Sequence, residues 1–448
     1  NPMAFLKLYA RRTLWLVLIG LGALVSQSSL ALESDQVDDS FNLKMKPHTL
    51  HLGNTADGTG VLGTHFNGSM LGIDTLPNFS SYFYFPGLSV TPFGAAPQFT
   101  WQYSMVGRSP VGTRDHGDGD DALVTRVRAP IVPVIIDLRN FDGSPRFFTR
   151  ADGVKVRMIL DPTPYISNVL ASPIFSPTNY SSSSRRTQYT DAVQRAEFYN
   201  TAGAGWHTVL VPVVTAPRTM VLIRGTYSFN VDAATGQLRY VLVNESVFAS
   251  ALFPSTPTDV TTVMGAAEVS GDVKATDLST FLFANTFLFD PADGSCCVLG
   301  YHTYDVEPGD ASNGWRERHY VMNYASWISP GLFGGGFSDI TALSHELSEA
   351  FNDPFVNNST PIWVGPNGLC QNNLEVGDVL EGLPNATIPT LMNGYTYHPQ
   401  NEALVQWFAG ITPSSAIGGA YSYPDTSVLT SAAVSTGLDC ATPFTAKR

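Results

Sequence analysis

Hydrophobic and polar positions divide this chain into a region without helical rhythm and a region of regular elements. Residues 32–124 are rich in Gly, Pro, Ser and aromatics and lack long helical periodicity, which predicts an irregular, β-containing region. Regular structure is expected to start at residues 131–136, an apolar, β-branched run that reads as a buried strand. A helix is predicted over 190–199, with Thr190 as its N-cap and Asp191 favouring the first turn. Strands are expected at 208–214, 220–223 and 238–243, the last two flanking a turn at 233–236 and reading as a hairpin. Further strands are predicted at 281–289, 298–304 and 319–324.

A glycine-rich loop at 331–336 precedes the most informative pattern. Ile340, Leu343, Leu347 and Phe351 recur at helical spacing and predict a helix that buries one face. Ser338 or Asp339 is expected to cap it and Pro354 to end it. His345 and Glu349 stand one turn apart on the side away from the apolar stripe, with Glu346 at its edge. A histidine and a carboxylate so spaced can grip one metal ion, and Glu346 then sits where a general base for hydrolysis belongs. The pattern is H-E-x-x-H with glutamate in place of the second histidine.

Zinc in a catalytic site takes three protein ligands and keeps one position open. His345, Glu349 and the downstream Glu375 are the expected ligands, with Asp378 orienting His345 through its free ring nitrogen. Asp353, eight residues after His345, is the rival third ligand. Two carboxylates make such a site harder than a His₂Glu site and open it to other divalent metals. One of Tyr395, Tyr397 or His398 is a candidate to stabilise an oxyanion or contact substrate. His302 and His319 fall in predicted strands near the motif and read as structural.

Composition sets the compartment expected for this chemistry. Lys7, Arg11 and Arg12 precede an apolar run over 14–25 and the small-x-small triplet Ser29-Leu30-Ala31, the pattern of a cleaved signal peptide over 1–31. Cleavage there removes three basic residues and no acid, taking the net charge from −13 to −16. An acidic chain with 14% charged residues is a poor partner for nucleic acid. No later run is long and apolar enough to expect stable membrane insertion after cleavage. A secreted or periplasmic protein is expected, with a polypeptide substrate or an extracellular partner. Four cysteines in that setting predict two disulfides, Cys296 and Cys297 each reaching one of Cys370 and Cys440. The acidic turn at 115–121 reads as a solvated loop rather than a calcium loop.

The blocks Ser344-His345-Glu346-Leu347, Glu349, Pro354, Val356 and Asn357 resemble the motif of the plant Exordium, or phosphate-induced protein 1, family. Glu375-Val376-Gly377-Asp378 is similar to that family's Glu-Ile-x-Asp segment. A group of secreted bacterial proteins is more similar still, sharing the Ser-His-Glu-x-x-Glu helix, the Asn-Asp-Pro-Phe exit and the run from Cys370 to Asp378. The likeness spans about residues 130–410. It implies an α+β, zincin-like core: a twisted mixed sheet, a backing helix and an active-site helix, over 125–448. It also implies His345, Glu349 and Glu375 as zinc ligands and Glu346 as general base of a metallopeptidase-like hydrolase. A non-catalytic extracellular binding or signalling protein that retains the metal is the alternative.

Overall fold

The apolar run at 131–136 lies inside a 16-residue strand, β1 (Val124–Arg139). The computed structural model describes residues 35–37, 41, 43–44, 73–86, 98–114, 121–291, 295–334 and 336–433. The expected leader, residues 115–120 of the acidic turn and Cys440 lie outside them. Val127, Ala129 and Ile131 face one apolar cluster, while Val132, Val134, Ile136 and Leu138 face another. Side chains of a strand alternate between faces, so β1 is buried on both sides, which is why its sequence reads as a continuous apolar run.

β1 is the hub of an α+β fold with a mainly parallel central sheet and few helices. On one side it pairs in parallel with β2 (His207–Val214) and then β3 (Arg218–Ile223). On the other it meets β4 (Leu278–Ala284), with Phe281 opposite Val132. β5 (Gly300–Glu307) and β6 (Glu317–Trp327) extend the sheet: β6 runs parallel to β4, and β5 antiparallel to β6 with His302 opposite Asn323, while the short strands Ile73–Asp74 and Ile159–Leu160 pair with β6 and β1. Among the described strands β5 pairs with β6 alone, so β5 is the edge of the sheet, and residues 319–324 lie one strand inside it.

Two helices cover one face. α1 (Tyr189–Glu197) and α2 (Thr341–Asn352) bury Ala192, Val193, Leu343, Leu347 and Phe351 against Val127, Leu282 and Val321. Thr190 is not the α1 cap: the helix begins one residue earlier, after Gln188, and Thr190 is buried within it. α2 likewise starts after Ile340 without a side-chain cap at that residue. Asp339 instead holds the entry turn, its Oδ1 accepting the N–H groups of Ile340 (2.7 Å) and His398 (2.8 Å).

Three expectations about the chain path are corrected. The strand expected at 281–289 is two strands, because Asn285 adopts φ +44° and turns the chain out of the central sheet into a second, four-stranded one. Asn tolerates that left-handed conformation better than most residues. The hairpin around 233–236 joins Tyr227–Val231, not residues 220–223, to Leu238–Asn244; β3 has left for the central sheet. Finally, Cys296 and Cys297 are bonded to each other, their Cα atoms 3.0 Å apart across a cis peptide. Cys370 is also disulfide-bonded.

Within the 32–124 region, Asn78–Pro86 and Gln98–Val106 form an antiparallel pair. Phe79, Tyr103 and Met105 share an apolar cluster with Trp363, Leu374 and Val376, and the Ser104 N–H donates to Asn358 Oδ1 (2.9 Å). This packing seats the segment that carries Glu375 and Asp378.

Candidate metal centre

α2 is buried on every side, so its acidic face is not a solvated one. It lies against β5 and β6, and the side chains of His345, Glu346 and Glu349 point toward the edge strand and the 374–378 segment. Glu349 is the pivot. Its Oε1 lies 3.1 Å from His345 Nε2 and accepts the N–H groups of Gly377 (3.1 Å) and Asp378 (3.3 Å); its Oε2 lies 3.4 Å from His302 Nδ1. Glu346 reaches the same space, with Oε2 3.6 Å from His302 Nδ1 and Oε1 4.0 Å from His345 Nε2. Asp378 Oδ1 is 3.4 Å from His345 Nε2.

A tetrahedral dication with ligand bonds of about 2.0–2.1 Å holds its donor atoms about 3.4 Å apart. The separations here match that spacing. Two overlapping groups, His302–Glu346–Glu349 and His345–Glu349–Asp378, bring ligand atoms within 4.8 Å of one another, and every member is buried. These buried His, Glu and Asp groups form a site able to hold a metal ion.

The two histidines are aimed by groups outside the cluster. His302 Nε2–H donates to the carbonyl oxygen of Asp353 (3.1 Å), which leaves Nδ1 facing the carboxylates. His345 Nδ1 meets Gln400 Oε1 (3.1 Å), and the Gln400 amide nitrogen donates to the Gly377 carbonyl (2.7 Å). That second bond fixes which way the amide points, so Oε1 must accept from His345. Nδ1 therefore carries a proton, and Nε2 is the nitrogen that a metal ion would take in place of its own proton.

Electrostatics agree with the geometry. Burial alone would depress both imidazoles, yet the surrounding carboxylates drive them well above the ordinary histidine range: Glu375, Glu346 and Glu349 act on His302, and Glu349 and Glu346 on His345. Burial would raise Glu349, but His345 and His302 hold it well below its usual value. Glu375 is pushed well above its own, first by burial and then by the charge of Glu349. Concentrated negative charge that two imidazoles cannot balance is what a cation relieves.

No family model, curated protein or solved structure matches the chain.

Several expected residues take other places. The Asp353 carboxylate accepts the N–H groups of Asn357 (2.9 Å) and Asn358 (3.1 Å), closing the turn after α2, and only its carbonyl serves the site. Glu375 is buried beside the cluster but is not among the donors grouped within 4.8 Å. Asp378 faces His345 Nε2 and not the other ring nitrogen, where Gln400 stands; its Oδ2 accepts from Gln371. His398 is tied to the entry turn, Nδ1 lying 2.7 Å from Asp339 Oδ2. Tyr397 donates to the Asn168 carbonyl (2.9 Å) in the core, and Tyr395 packs on Tyr397 and Trp327. None of these three lines the small recess beside His345 and Glu346, whose walls include Val298, Leu299, Gly300, Phe337 and Gln400.

His302 and Gln400 are the residues that sequence reasoning missed. His302 stands two positions after a glycine in a strand, and nothing in its neighbours marks it. His319, by contrast, is structural as expected: it stacks on Tyr304 at 5.0 Å and its Nε2 lies 2.6 Å from Glu317.

Proposed function

We propose that this chain is a secreted, zinc-dependent, peptidase-like hydrolase with a zincin-like core. The observation that carries the reading is Glu349, whose Oε2 lies 3.4 Å from His302 Nδ1 and whose Oε1 lies 3.1 Å from His345 Nε2, so that it joins two buried groups of potential ligands, with Glu346 in the first. Two imidazoles and one carboxylate form the donor set of many hydrolytic zinc sites, with His302 supplying the histidine that the helix motif lacks. The resemblance to secreted bacterial proteins carrying the same helix and the Cys370–Asp378 run supports the same reading.

Zinc bound there supplies a Lewis acid that acidifies water and polarises a carbonyl. Glu346 takes the proton of the attacking water on a carboxylate oxygen and passes it to the departing amine. Gln400 and the Asp353 carbonyl keep the two rings in the ligand tautomer. The outer side of β5, which pairs with β6 alone among the described strands, would receive an extended polypeptide as a further strand. Asp378 faces the Nε2 of His345, and Glu375 is buried beside the cluster.

One observation favours a second reading. His302, His345, Glu346 and Glu349 are each at most 7% exposed, as in a closed structural site of an extracellular binding protein.

Metal content by mass spectrometry on the purified chain, beside Glu349→Ala, tests the centre: about one zinc per chain is expected, lost in the variant. Digestion of an unfolded protein, with Glu346→Gln as control, then tests catalysis. That variant should keep its zinc and lose on the order of 10²–10⁴ in rate. Zinc without any Glu346-dependent hydrolysis selects the binding protein, and absence of tightly held metal overturns both readings.

A further inference from the structure

β5 carries two sets of ligating side chains on opposite faces. His302 points to the α2 side. Tyr301 packs into the cluster on the other face, and Asp305 and Glu307, in phase with it along the strand, belong to that side. There they meet Glu268 of the helix Val263–Val269, whose Met264 and Ala267 sit in the same apolar cluster. One carboxylate oxygen from each of Glu268, Asp305 and Glu307 lies within 4.8 Å of the others.

Like charges do not gather in an apolar setting without compensation. The second observation concerns Glu268 itself. It is 9% exposed, and both of its carboxylate oxygens are buried with no hydrogen-bond partner among the described residues. One oxygen of Glu307, which is 6% exposed, is in the same state. A buried carboxylate left without donors is costly unless it holds a proton or a group from outside the protein satisfies it, and a bound cation satisfies all three carboxylates at once. The cationic residue that acts on the group is Arg318, which influences Glu307 from β6 while bonding to Asp310.

We propose that Glu268, Asp305 and Glu307 form a second, independent cation site that binds calcium and fastens the helix Val263–Val269 to the edge strand. The donor set decides the metal class. It is all oxygen, with neither imidazole nor thiolate, which suits a hard cation of flexible coordination number and gives zinc no preference. Three carboxylates, one of them able to bind through both oxygens, leave room for waters to complete the shell. The role follows from position: His302 lies on the same strand, three residues before Asp305, so the ion restrains the backbone that presents a donor to the first centre.

The test is calorimetric titration of calcium into the chelator-stripped full-length chain, with thermal melts at zero and saturating calcium. Glu268→Gln and Glu349→Gln are run in parallel. The wild type should bind about one calcium per chain in a site insensitive to Glu349→Gln, and calcium should raise its melting temperature. Glu268→Gln should weaken binding at least tenfold and remove the calcium-dependent shift. If Glu268→Gln does not fold, Asp305→Asn with the same two readouts replaces it. Wild-type calcium affinity in these variants, binding abolished only by Glu349→Gln, or a melting temperature indifferent to calcium would each overturn the site. Failure of this site leaves the zinc centre to its own test, zinc retention in the wild type and its loss in Glu349→Ala.

Discussion

Gly377 lies directly against the ring of His345: a Cβ at position 377 would stand 2.7 Å from both Cγ and Nδ1 of the imidazole. Real Cβ atoms do not approach heavy atoms that closely, so any side chain there must displace the ring or the 374–378 segment. Both carry the site, because the Gly377 N–H holds Glu349 and the Gly377 carbonyl orients Gln400. Gly377→Ala is expected to lower zinc affinity more than tenfold while the chain still folds. Competition with a chromophoric chelator measures this, and an unchanged affinity would show that the ring has room the structure denies it.

His302 should be as necessary as the motif histidine. His302→Ala removes a donor and leaves Glu346 and Glu349 buried without the imidazole between them. Zinc should be lost to the extent seen in a His345→Ala control, although His302 stands outside any recognisable motif. Retention of one zinc per chain in His302→Ala, lost in His345→Ala, would restore the ligand set read from the sequence, with Glu375 in third place.

That contrast shows where the sequence is legible. α2 could be read because its apolar stripe repeats every three or four residues, and because His345, Glu346 and Glu349 fall within one turn of each other. β1 could be read because burial on both faces writes a continuous apolar run. His302 could not: it reaches α2 through an antiparallel edge strand, and its tautomer is set by the backbone carbonyl of Asp353, which has no side-chain signature. Gln400 is silent for the same reason, since its role comes from two bonds to residues that only folding brings near. The split of residues 281–289 rests on one left-handed residue, Asn285, inside an unbroken apolar stretch.

Gln400 makes a graded prediction. Replacing it with Leu keeps much of the volume but removes the acceptor for His345 Nδ1 and the donor to the Gly377 carbonyl. Loss of such an orienting partner costs roughly 10–100-fold in metal affinity. Gln400→Glu, which keeps an acceptor, should recover much of the affinity lost in Gln400→Leu. Equal affinities in the two variants would mean that the ring is positioned by packing alone.

A buried carboxylate away from the centre should leave its mark on stability. Glu197, at the end of α1, is 2% exposed; its Oε1 accepts the Val405 N–H (3.3 Å), and its Oε2 has no hydrogen-bond partner among the described residues. Burial pushes its carboxyl well above the usual range, and the single N–H of Val405 opposes this too weakly to reverse it. The folded chain therefore holds a proton that the unfolded chain releases near pH 4.5. The contribution is fully present below that pH and is lost as pH rises toward the folded value. The slope is about 1.4 kcal/mol per pH unit for one proton. Glu197→Gln keeps the acceptor for Val405 and removes the titration, so the variant should gain on the wild type as pH rises above the unfolded carboxyl value. Urea unfolding at several pH values measures the difference, and two stability curves that stay parallel above that value would show that Glu197 is ionised in the fold.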